Sequence, residues 1–375
     1  MFSRALTLSC IALGSVLAAP ATADTITLAS GETIDDVNIT EETLKSVFYR
    51  KGGSTRDVDA DKVVSISYDE FPSLVEKAES LVDEGDIEGA VSSYTLYVEG
   101  QIENPTERKD PWAPAYAAFR AVELNRGAGQ FARVVDAADL LIGNFADSRF
   151  VPATYLAKAE AQRYSGQADA AKATLQSLAS LVEREGLSQR YAFDAELALL
   201  EIDQSLSADE RLKRAKALGS RAGSAYPTVR MRAELLEGQT LVRVAEAASD
   251  ADAQNTALDQ AMAKFDGLIA SDAASDSVRA GAYVGRGDVL FFRAAPKDDV
   301  EGLKAAGHEY LKVTVLYPGE RAHLLRALFF GGRCFHQIGA LTASEVDQAR
   351  AQRIFQRLRN TFPNSPMAAE SRKFR

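Results

Sequence analysis

The chain has 375 residues, a net charge of −10, three histidines and two cysteines. A single core stops growing near about 250–300 residues, so this length implies several domains or one extended array. The negative balance excludes non-specific nucleic-acid binding through a global field.

The first segment reads as a targeting sequence. Arg4 is followed by an apolar run from Ala5 to Leu17, which closes on Ala21-Thr22-Ala23 before Asp24. One charge, a short apolar stretch and a small-residue site are the order of a secretory signal peptide, over 1–23. The run is shorter than the roughly 20 residues a membrane span needs. Cys10 follows Thr7-Leu8-Ser9, a poor match to a lipidation box. The expectation is an exported protein, periplasmic or secreted, that starts at Asp24. Its net charge is then −11, because the leader carries Arg4 and no acid. Cys334 becomes its one cysteine, so no intrachain disulfide can form.

From Asp24 to Tyr68 short period-two runs predict strands. They are Thr25–Leu28, Thr33-Ile34, Val37 to Ile39, Val47–Arg50, Val58 and Val63–Tyr68, parted by Gly and acidic turns. About five short strands argue a β-meander folded into a small half-open barrel, SH3-like or Sm-like, over 24–70. So few residues supply little core, and the module is expected to lean on the helical part or a partner.

From Phe71 to Arg375 the chain is rich in Ala, Leu, Glu and Arg, with breaks at Gly, Pro, Asn and Ser. A small residue followed four later by a bulky or small one recurs, as Ala90/Tyr94, Val134/Ala138, Ala171/Leu175, Ala215/Gly219, Ala261/Phe265, Ala306/Tyr310 and Ala351/Phe355. Successive first members lie 44, 37, 44, 46, 45 and 45 residues apart. Pro227, Pro318 and Pro363 each stand twelve residues after such an alanine and directly after an aromatic. The small residue lets two helices approach, and the bulky one a turn later fills the groove beside it. The proline ends a helix. One hairpin cannot bury its apolar face, so hairpins must stack. Seven roughly equal units argue against a closed bundle.

These residues, with Gly85-Asp86-Ile87, Gly129-Gln130-Phe131 and Gly166-Gln167-Ala168 before three of the pairs, resemble the tetratricopeptide-repeat family over 71–375. That family's repeat is about 34 residues, so longer helices or turns must absorb the excess here. The resemblance implies a mainly α fold, an α-solenoid of about seven helical hairpins behind the β-meander. It implies a concave surface that binds a peptide or protein partner.

No nucleophile elbow, zinc-protease helix or phosphate-binding glycine loop is present. No catalytic, cofactor or metal residue is therefore assigned. Cys334 and His336 would point about 200° apart on one helix and cannot share a metal there. Acids are scattered along amphipathic helices and read as solvated. Arg286-Gly287-Asp288, an adhesion-type tripeptide, falls in a buried-looking helical run. The lone Trp112 packs the first hairpins together or offers an aromatic to a partner. Phe48, Tyr49 and Tyr68 pack the module's own core or its junction with the helices; they would be the exposed aromatics if the β module bound a ligand or glycan and the solenoid were a spacer. From Gly319 onward the charge is +6, against −17 for the rest beyond the leader. Arg350, Arg353 and Arg357 share one helix face there. They are the candidate dock for a protein partner, an anionic membrane surface or the acidic part of a second copy. An envelope scaffold without catalytic activity is the expected function, and a protease should cut first between Tyr68 and Ser73.

Overall fold

The structure is a computed structural model and describes residues 23–105, 110–363 and 365–374. The expected leader, apart from Ala23, lies outside the described residues. Five strands come first: β1 (Asp24–Leu28), β2 (Thr33–Glu42), β3 (Ser46–Lys51), β4 (Ser54–Asp59) and β5 (Val63–Ser67). They form one antiparallel sheet in the order β4-β3-β2-β1-β5. The chain meanders through four strands and then folds β5 back onto β1. Register shifts within β1 and β2 bend the sheet, as bulges do. The sheet has β4 and β5 as its edges.

Fifteen helices follow among the described residues. Fourteen pair in chain order into seven hairpins. They are α1 (Ser73–Asp83) with α2 (Ile87–Glu103), α3 (Ala113–Ala128) with α4 (Phe131–Asn144), and α5 (Val151–Tyr164) with α6 (Ala168–Glu185). Next come α7 (Gln189–Ile202) with α8 (Ala208–Ala222) and α9 (Pro227–Ala247) with α10 (Ala251–Ala270). The last are α11 (Asp276–Ala294) with α12 (Val300–Leu316) and α13 (Arg321–Thr342) with α14 (Glu345–Thr361), followed by the short α15 (Pro366–Glu370). Gly85, Gly129 and Gly166 turn the first three hairpins with φ of +82°, +72° and +76°, a region side chains disfavour. The fold is thus mainly helical behind a small sheet.

All seven small/bulky pairs lie on second helices, and every member is buried. The bulky member fills space between first helices. Phe265 of α10 lies where a Cβ on Gly238 of α9 would sit 2.6 Å away and one on Gly285 of α11 would sit 2.2 Å away. Tyr310 and Phe355 press in the same way on Gly287 and Gly332. The longer period of the later repeats comes from helix length: α9, α10, α11 and α13 have 21, 20, 19 and 22 residues, whereas α5 and α7 have 14.

The β module is docked, not tethered. Trp112 stacks flat on Tyr68, with ring centroids 3.7 Å apart and planes 6° apart. Phe71 and Tyr116 pack edgewise around them. The Trp112 ring is 5% exposed and so closed to any partner. It joins the sheet to α3, where the sequence suggested a contact between hairpins. Tyr49 and Tyr68 are also buried and Phe48 is half-buried, so these aromatics pack the module and its junction with the helices, and the alternative of an aromatic ligand face lacks its exposed residues. Glu42 at the end of β2 accepts from the Tyr68 hydroxyl and from Arg149, just before α5, in a buried cluster. Leu44, in the β2–β3 turn, enters the core of the first hairpins. Asp24 accepts from the backbone N–H of Ile39 at 2.8 Å and of Asp69 at 3.0 Å, pinning the junction. The expected early cleavage between Tyr68 and Ser73 conflicts with this packing, because Tyr68 and Phe71 are held in the aromatic cluster.

Trp112→Ala should cost roughly 3–5 kcal/mol in the first unfolding transition, the usual loss for a buried aromatic. Urea unfolding measures it, and limited proteolysis should then show a new early cut at 68–73. An unchanged midpoint and cleavage pattern would mean that the stack does not hold the module.

Candidate functional site

The first helices of successive hairpins lie side by side, and arginine–carboxylate pairs join each neighbouring two except α9 and α11, between which the described residues form none. Glu79 on α1 accepts two bonds from Arg120 on α3, each 3.2 Å long. Arg126 donates to Glu160 on α5 at 2.6 Å, and Arg163 to Glu201 on α7 at 3.2 Å. Asp194 on α7 accepts from Arg232 on α9 at 2.5 Å, and Asp288 on α11 from Arg326 on α13 at 2.9 Å. The last three pairs are each 38 residues apart. The reading of the acids as solvated fails at these positions. Asp288 is 4% exposed and also accepts from the Tyr310 hydroxyl at 2.7 Å. Burial pushes its carboxyl pKa up, and Arg326 works against that shift. The Arg-Gly-Asp tripeptide is therefore spent inside the array.

The wall also brings charges from distant hairpins together. His323 at the start of α13 has its pKa pushed down to about 4, first by burial and then by Arg163 of α5 and Arg232 of α9. Arg243 on α9 presents its side chain to solvent while part of it is desolvated against the wall; that desolvation and then Arg211 and Arg326 lower its pKa, with Glu201 and Glu246 opposing. Arg211, at the start of α8, donates to the Asp203 carbonyl, and its buried Nε has no hydrogen-bond partner. Side chains from hairpins 3, 5 and 7 thus face one another. A groove of about 1010 Å³ lies where hairpin 7 returns to hairpins 2 and 3. The α3–α4 turn, the end of α5, the start of α13 and the loop after α14 line it.

The three basic residues of α14 do not act as one stripe. Arg350 pairs with Asp347 at 3.0 Å and lies 4.8 Å over the Phe335 ring. Arg357 donates to the Thr314 carbonyl at 3.3 Å. Arg353 is exposed and forms no ion pair among the described residues. Ala351, Phe355 and Leu358 are buried on the opposite side. Cys334 is buried, and its thiol pKa is pushed up to about 12 by that burial. Among the described residues no cluster of His, Cys, Asp or Glu is placed to hold a metal ion. No described helix is long and apolar enough to cross a membrane.

No family model matches the chain, and no curated protein matches it in sequence. Among solved structures it is similar to a tetratricopeptide repeat protein from Parabacteroides merdae, with 14% identity and a TM-score of 0.46. That match covers 80% of this chain and 96% of the other.

The depressed pKa of His323 sets a pH dependence. Unfolded, this side chain takes up a proton below about 6.5; folded, only below about 4. Between those values the unfolded state binds more protons, so stability falls as pH falls through that window. Denaturant unfolding from pH 7 to pH 4 should show a decline that His323→Gln makes shallower. An NMR titration of His323 with a midpoint near that of a free histidine would contradict the assignment.

Proposed function

We propose that the chain is a protein-interaction scaffold of the cell envelope, exported by its leader and without catalytic activity. The observation that carries this reading is the continuous wall of first helices. Five arginine–carboxylate pairs tie neighbouring helices of that wall, so it meets a partner already ordered. A surface ordered in advance avoids part of the entropy cost of binding. Stacked hairpins extend such a wall over several repeats, which suits a peptide or protein more than a small molecule. The docked β module supports the same reading by covering one edge of the early hairpins. Arg353 is a second proposed contact, on the outer face of α14.

Two measurements test the proposal. N-terminal sequencing of protein recovered from its own host should begin at Asp24. Retention of residues 1–23 on the folded, cell-associated protein would refute export. The full-length chain, used as bait in a host envelope extract, should capture a reproducible partner. Arg243→Glu should reduce that capture several-fold without loss of folding, since it removes a cation already strained by Arg211 and Arg326. Arg353→Gln reports on the outer face in the same assay. It is the clean variant there, because changing Arg350 or Arg357 also removes contacts with Phe335 or Thr314. Equal capture by wild type, R243E and R353Q would exclude both surfaces, and no specific capture at all would sink the scaffold reading.

A further inference from the structure

The groove between hairpins 2–3 and hairpin 7 is lined by Glu123, Glu160 and Glu320 as well as by arginines, yet it contains one cation, Arg321, that forms no ion pair among the described residues. Arg321 opens α13, and its Nη2 donates to the Thr361 carbonyl at 3.3 Å. Its guanidinium lies 5.0 Å over the Phe362 ring. Its Nε is buried and has no hydrogen-bond partner among the described residues. A Cβ on Gly129, across the groove in the α3–α4 turn, would lie 3.0 Å from Nη2, so the two walls come together at this residue. Arg120, Arg126, Arg163, Arg232 and Arg326 each hold a carboxylate, whereas Arg321 forms no ion pair among the described residues. Burial alone lowers its pKa, with no acid opposing the shift. A cation withdrawn from water without a counter-charge costs stability, and an incoming carboxylate would recover that cost.

The size and lining of the groove decide what brings the carboxylate. At about 1010 Å³ the space far exceeds one small anion. Phe131, Tyr164, Leu325 and Phe362 give it apolar surface around the guanidinium. An extended peptide meets both requirements, with an acidic side chain on Arg321 and neighbouring apolar side chains on those rings. We infer that this groove binds an extended acidic peptide segment of a partner protein, anchored by a carboxylate on the Arg321 guanidinium and bridging hairpins 2–3 to hairpin 7. This inference rests on the scaffold reading and gives the partner's chemistry.

The test starts from a random phage-displayed peptide library panned on the full-length protein. Selected peptides should carry Asp or Glu flanked by apolar residues. Their affinity, read by fluorescence anisotropy, should fall at least about tenfold for Arg321→Gln, equivalent to about 1.4 kcal/mol. Arg321→Lys should retain part of it. Exchanging the peptide's acid for its amide should cost as much as R321Q, with little further loss when both are combined. R321Q should leave the thermal midpoint of the free protein unchanged or raised, because it removes an unpaired half-buried charge. If that variant does not fold, R321K and the amide peptide decide the question alone. No selected peptide, peptides without acids, equal binding to R321Q, or displacement by inorganic phosphate alone would each overturn the inference. The envelope capture experiment is independent, so a partner lost in R243E would keep the scaffold reading even then.

Discussion

Each hairpin must bury an apolar face that its own two helices cannot cover. The array depends on that constraint, and it is met by close approach at one point per repeat. A small residue on the second helix admits its neighbours, and a bulky residue one turn later fills the space between first helices. In the later hairpins the fit is tight enough that Phe265, Tyr310 and Phe355 lie where a Cβ on the facing glycine would be. A methyl group there would overpack the core, so glycine in these helices buys contact that outweighs its poor helix propensity. Most repeat contacts are between neighbours, as in any stacked array, with the return of Arg321 on α13 to Gly129 in the α3–α4 turn as a longer-range exception.

The β module adds contacts that are not local. The sheet reaches α3 through Trp112, the start of α5 through Arg149 and the core of the early hairpins through Leu44. A buried ion pair is a poor source of net stability, because both charges lose their water. At Glu42 the Tyr68 hydroxyl and the Arg149 guanidinium both bond the same carboxylate. Its value is specificity. Any other placement of the sheet leaves Glu42 and Arg149 buried and unpaired, whereas the flat Trp112–Tyr68 stack supplies the non-directional part of the attraction.

The helical repeat was legible because its signal is periodic within one helix. Spacing alone marks Ala261 and Phe265 as one face, and the seven such pairs found by spacing are the seven buried pairs of the structure. The strands of the β module were legible for the same reason at period two. The arginine–carboxylate ladder was not, since Asp288 and Arg326 meet only when two hairpins stack. Nothing near Asp288 in the sequence separates it from a solvated acid. A regular separation of 38 residues between acids and arginines is the one signal the pairs leave, and the charged residues on other faces of the same helices obscure it. The lean of the module on the helices was legible from its small core, but the stack of Trp112 on Tyr68 was not, because a contact between a strand end and a helix start leaves no spacing signal in the sequence. The basic face of α14 was legible as a face, but the structure divides it into two residues with intramolecular roles and one that is free to act.

Net charge and local charge point in opposite directions in this molecule. The chain is acidic overall at −10, yet the inner wall keeps arginines that repel one another. The ladder reconciles the two. Glu79, Glu160, Asp194, Glu201 and Asp288 on first helices are each held by an arginine of a neighbouring hairpin, so they contribute to the net charge but present little free negative surface. What the wall then offers is the remainder: Arg243 pressed by Arg211 and Arg326, His323 held neutral between Arg163 and Arg232, and Arg321 without an acid. Solvated acids elsewhere set the long-range field and are screened within about 10 Å at ordinary ionic strength. A partner that has reached the groove therefore responds to the charges that line it, the unpaired Arg321 among them, and not to the net charge. The recognising surface can favour acidic segments on a protein whose composition alone would predict that it repels them.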